Sequence, residues 1–211
     1  MATLGITKLI ACNEMLLAVG INRVGALDTG GPSDVGEAEY VLDIVTREIL
    51  LRGFSSNTRR IKVQASNTGT IDLSSGATGQ SPSSPAPNAL RVEGEFKHQR
   101  RALSLRGSAV YDEDYGSTTC FANNEDVYLK VTESLTFEDI QPEVKELIVA
   151  EAKQRYRAMK RPDPTIDQFL ERDRVKAETS TGDNARPPTA DAAAVRFGPA
   201  AANQPQRGAR G

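Results

Sequence analysis

At 211 residues, 38% hydrophobic and 5% aromatic with no Trp, the chain has material for one ordinary domain, or a small one with an insertion and a tail, but not for a single large core. A formal net charge of −2 argues against an overall basic nucleic-acid binder, and two cysteines, Cys12 and Cys120, cannot make a disulfide framework. The first residues carry no charged leader and no apolar run reaches membrane-spanning length, so the sequence predicts a soluble chain with no signal peptide and no membrane insertion.

In chain order, Ile6, Leu9, Ile10, Leu16, Leu17 and Val19 predict a first helix with a broad apolar face, closed by Gly20. Cys12 reads as a small core residue of that helix, and Asn13 as solvent-facing or bonded to a neighbouring loop. Gly25, Gly30, Gly31 and Pro32 break the chain and let it turn back. The second helix, Asp34 to Phe54, is the most fully specified. Asp34 is the expected N-cap with Glu37 three residues on, Gly53 is the stop, and Ala38, Val41, Leu42, Val45 and Ile49 form one buried stripe. Arg47 and Arg52 lie off that stripe.

After Phe54 the period changes to two. Strands are expected at Ile61 to Ser66, Thr70 to Leu73, Leu90 to Glu93, Ala102 to Leu105, Ser108 to Tyr111 and, most clearly, Val127 to Val131. The run 74–88, rich in Ser, Pro and Gly, reads as a mobile surface loop. From Pro142, Val144, Leu147, Ile148, Ala152, Tyr156 and Met159 predict a third helix, and Asp163-Pro164 starts a fourth with Ile166, Phe169 and Leu170. Its charged part, Glu171 to Glu178, is expected to extend into solvent or onto a partner, and the chain from Thr179 to be disordered. The predicted class is α+β: a bundle of about four helices interrupted by a small antiparallel β insertion. The bundle takes 1–54 and 136–178, the insertion 55–135, and a flexible tail 179–211.

Chemistry is sparse. The lone His98 lies in the polar segment KHQRR, and no nucleotide-binding signature is present. Asp112, Glu113, Asp114 and Gly116 read as a solvated hairpin end, because the spaced ligands of a calcium loop are missing. Asp112, Asp114, Glu125 and Asp126 could supply a carboxylate pair for a polysaccharide- or peptidoglycan-acting hydrolase. Arg59, Arg60, Lys62, Lys97, Arg100 and Arg101 could serve a DNA-binding accessory protein. Neither pattern fixes a site; no catalytic residue, metal or cofactor is predicted.

Three stretches point elsewhere. ACNEMLLAVGINRVGAL contains Ala11, Asn13, Leu16, Val19, Gly20, Val24 and Leu27; the second helix carries Ala38, Leu42, Val45, Arg47, Ile49 and the ending Arg52-Gly53-Phe54; and Val110-Tyr111-Asp112 precedes a third helix with Ile148, Val149, Ala152 and Tyr156. In that order they resemble the tail tubular protein A family of short-tailed bacteriophages, also called the tail adaptor or gatekeeper, over most of Leu9 to Met159. Phe54 stands where that family's pattern has Trp.

The resemblance implies a structural, non-enzymatic head–tail connector. Twelve copies would form a ring between the portal protein and the tail nozzle protein, tail tubular protein B, with DNA ejected through the lumen without sequence specificity and tail fibres attached nearby. It would be assembled in the bacterial cytoplasm and sit in the virion tail. Arg47, Arg52 and Phe54 become candidates for contacts within the ring. Ile166, Phe169, Leu170 and, in the tail, Arg186, Arg196 and Phe197 become candidates for gripping the portal.

Overall fold

The structure is a computed structural model in which residues 5–27, 33–74 and 86–184 are described. It is α+β, in the order α1 (Lys8–Ala18), α2 (Asp34–Leu50), β1 (Thr58–Gln64), β2 (Ala89–Gly94), β3 (Leu103–Arg106), β4 (Ala109–Asp112), β5 (Asp126–Glu133), α3 (Pro142–Lys160) and α4 (Pro164–Asn184). Four helices bracket the strands, as the change of period along the sequence requires.

The five stripe residues of α2, Ala38, Val41, Leu42, Val45 and Ile49, are all buried. The N-cap is one residue earlier than expected: Ser33 Oγ accepts from the Gly36 N–H at 3.1 Å, and Asp34 is the first helical residue, where its charge suits the positive end of the helix. At the other end Gly53 takes φ +77°, a turn out of the helix that a side chain would strain.

In α1 the apolar face is rotated from the predicted one. Ala11, Cys12, Met15, Leu16 and Val19 point inward, whereas Ile10 and Leu17 are over 40% exposed. The small Ala11 and Cys12 are buried in the core this helix shares with α2 and α3. Burial pushes the Cys12 thiol up to about 11, which makes it an inert core residue. Asn13 is a clamp: its amide donates to the Val24 carbonyl at 3.0 Å and accepts the Val24 N–H at 2.8 Å, pinning the chain that leaves α1.

In α3 the stripe is buried as predicted except for Met159, which is 62% exposed. The largest departure is α4. The charged stretch does not leave the subunit, and the helix continues past Thr179 to Asn184. Leu170, Ala177 and Thr181 face α3, the Thr181 hydroxyl reaching the Ala177 carbonyl at 2.7 Å and the Glu143 carbonyl at 3.2 Å. Arg174 bridges Glu171 at 2.6 Å and Glu151 of α3 at 3.6 Å. Hydrogen bonds from Arg174, then from Gln154, hold the Glu171 carboxyl down to about 2. Local ion pairs and hydroxyls thus hold the later part of α4, whose apolar content is too low to announce its packing on α3.

Strand β5 is the spine of the insertion, antiparallel to β1 on one side and β2 on the other, while β3 and β4 form a separate hairpin. Val127, Leu129 and Val131 are fully buried and meet Ile61, Val63 and Val92 in a second core, distinct from that of the helices. The expected strand at Thr70 to Leu73 is only a single bridge, Asp72 to Ala109. Gly94 packs directly on the His98 carbonyl, leaving no room for a side chain. Most of the Ser/Pro loop and the tail beyond Asn184 lie outside the described residues.

Candidate assembly surfaces

The acidic residues that could have formed a hydrolytic pair are occupied in building loops. Asp112 is fully buried rather than solvated: Oδ1 accepts the N–H groups of Asp114 and Tyr115, and Oδ2 lies 3.5 Å from Arg101. Glu125 accepts the Ala122 N–H at 2.8 Å and bridges Lys97, whose hydrogen bond is the main reason its carboxyl lies below the usual range. Asp126 pairs with Lys62 at 2.8 Å. His98 is buried edge-on to Phe121, with Nε2 3.4 Å from Glu125, and burial lowers its pKa.

The basic candidates are paired with acids except Arg100, which is exposed and forms no ion pair among the described residues. Arg59 is bidentate to Glu133, Arg60 pairs with Glu95, and Lys62, Lys97 and Arg101 have the acidic partners just given. Such a mosaic leaves no continuous cationic track among the described residues along which a phosphate backbone could run.

The helices expose more. On α2, Tyr40 is 67% exposed, Ile44 half-buried, Arg47 exposed and Leu51 at the rim of exposure. Their spacing of four, three and four residues makes a second stripe, opposite the buried one. Arg47 forms no ion pair among the described residues, whereas Arg52 reaches Glu178 of α4 at 3.4 Å. Phe54 is buried at the end of the bundle core, so within the subunit it serves packing.

Between α1, α3 and α4 runs an open groove of about 340 Å³ with an apolar floor of Ile6, Val149, Ala150, Leu170 and Ala177. Leu170 is therefore floor and core, not a protruding anchor. Ile166 and Phe169 do protrude from α4, 40% and 57% exposed, with the Arg172 guanidinium 5.6 Å from the Phe169 ring centre. Arg186, Arg196 and Phe197 lie outside the described residues. No group of three or more His, Cys, Asp or Glu placed to hold a metal ion occurs among the described residues, and no described helix is long and apolar enough to cross a membrane.

The sequence model of the tail tubular protein family matches residues 9–186, most of the chain. The chain belongs to the tail tubular protein family. No curated protein matches the sequence. Membership makes this tail tubular protein a structural component of a phage tail, located in the virion and assembled with other virion proteins. The match takes in α1 from Leu9, both cores and α4 as far as Asn184, so the α2 stripe and all of the groove lining except Ile6 lie within the family region. Sequence reasoning missed the α2 outer stripe and the groove. The stripe left a signal, since Tyr40, Ile44 and Leu51 are apolar positions outside the main one. The groove left none, because it exists only once α4 has packed on α3.

Proposed function

We propose that the chain is the tail adaptor of a short-tailed phage. Twelve copies form a ring between the portal protein and the tail nozzle protein, DNA passes through the lumen during genome ejection, and tail fibres attach at the nozzle side. Assembly takes place in the host cytoplasm. The observation that supports this most is the pairing of family membership with two unlike apolar surfaces on one small subunit, the α2 stripe and the α1–α3–α4 groove. A subunit that offers different faces to its two neighbours makes heterologous contacts, and these close into a ring by rotation.

Portal binding falls to the exposed Ile166 and Phe169 of α4 and to residues 185–211, which carry Arg186, Arg196 and Phe197. Repetition around a ring strengthens such contacts through effective concentration. Truncation after Asn184, which keeps α4 whole, is expected to weaken capture by the portal at least about tenfold while leaving the thermal unfolding midpoint unchanged. Portal capture at full affinity by the truncated chain would remove the tail from the contact.

A further inference from the structure

The two unlike surfaces lie on opposite sides of the bundle. Arg155 of α3 holds Glu48 of α2 at 2.7 Å, which marks the side of α3 that faces α2. Glu146, Ala150 and Lys153, which line the groove, are turned about 140–180° away from Arg155 at roughly 100° per residue. A stripe and a groove so placed cannot meet within one subunit or across a two-fold axis, but can meet between successive members of a ring.

Their dimensions and charges also correspond. Tyr40 to Leu51 spans about 16 Å of helix and Leu170 to Ser180, which edge the groove, about 15 Å. The stripe carries Arg47, a cation with no ion pair among the described residues. At the groove, Glu14 and Lys153 satisfy each other at 3.2 Å, while Glu146 and Asp173 form no ion pair among the described residues. Asp43, one turn before Arg47, is already held by Lys8 of α1 at 2.9 Å, so Arg47 is the charge this stripe offers to a neighbour.

We propose that, in the ring advanced above, the outer face of α2 of one copy seats in the α1–α3–α4 groove of the next. Tyr40, Ile44 and Leu51 cover the apolar floor, and Arg47 meets Glu146 and Asp173. The contact rests on the ring reading and specifies which faces make it. Apolar seating supplies the buried area, and the charges set the register along the groove.

The test is ring assembly of the full chain on its portal, read by native mass. Arg47→Glu is expected to lower ring yield at least about tenfold, since it places like charges together. Glu146→Lys with Asp173→Lys should do the same, and combining all three should restore assembly. Tyr40→Ala, on an exposed side chain that the subunit's own core does not use, should also weaken the ring without moving the unfolding midpoint. A wild-type chain that forms no ring overturns the ring reading and this contact with it. A wild-type ring that tolerates Arg47→Glu, or charge variants that fail to rescue each other, leaves the ring standing and overturns the contact alone. If Arg47→Glu spares the ring but abolishes portal capture, the stripe belongs to the portal and the contact is likewise overturned.

Discussion

Replacing Asn57 with alanine is expected to lower the unfolding free energy by about 3 kcal/mol, the sum of several buried polar groups left short of partners. Asn57 is 3% exposed and stands where the helical bundle passes into the β insertion. Its side-chain oxygen accepts the Phe54 N–H at 2.7 Å, and its amide donates to the carbonyls of Leu50 at 2.9 Å and Glu133 at 3.0 Å. One side chain thus ties the end of α2, the turn after it and the end of β5. In the same place the Glu133 N–H donates to the Asn57 carbonyl at 2.8 Å. Alanine keeps that last bond and removes the other three. Asn57→Asp would keep the acceptor for Phe54 but set a carboxylate beside two carbonyls, so its loss should be at least as large. Urea unfolding of the two variants measures both, and a loss below about 1 kcal/mol for alanine would show that water replaces the amide.

Removal of Arg157 is the second large effect, expected at about 2–3 kcal/mol for Arg157→Ala because the Ala18 carbonyl loses its charged donor and the partly exposed Asp163 and Asp167 lose their cation. The side chain is 8% exposed, donates to the Ala18 carbonyl, and lies 3.4 Å from Asp167 and 3.9 Å from Asp163. It therefore joins three helices: it comes from α3, neutralises the negative C-terminal end of α1, and holds the start of α4. Arg157→Met, which keeps most of the packing volume but not the charge, separates the two roles. If the charge matters as argued, methionine recovers only a minor part of the loss. The start of α4 should also become cleavable by protease before the rest of the fold opens. Melting that is unaffected by alanine, or full recovery by methionine, would assign Arg157 to packing.

These two residues also show what a sequence does and does not display. The stripe of α2 and the alternation of β5 are legible because each is a local period, set by 3.6 or 2 residues and independent of what lies opposite. Asn57 gives no sign of its role, since one of its partners, Glu133, is 76 residues away and becomes adjacent only when β5 returns beside β1. Arg157 reads as one more basic residue near a helix end until α1 and α4 arrive on either side of it.

Helix α1 was misjudged for a related reason. Its apolar residues occur on nearly every side, and the choice of the face bearing Ala11 and Cys12 over the one bearing Ile10 and Leu17 is made by its neighbours in the bundle. Of the candidate surface, Arg47 was legible as a cation off the buried stripe. That Phe54 and Leu170 are buried within the subunit is not legible, because aromatic and apolar character does not say which side of the chain it faces. The groove could be found only by packing α4, whose hold on α3 rests on Thr181 and on the Arg174 ion pairs as much as on apolar surface.

The central claim, that this tail tubular protein works as a ring adaptor, is tested most directly by the native mass of the complex it forms with its portal. The prediction is that twelve subunits of 22.8 kDa each add to one portal assembly, with no stable complexes of intermediate count at saturation. Saturation at one or a few subunits, or no complex at all, would contradict it.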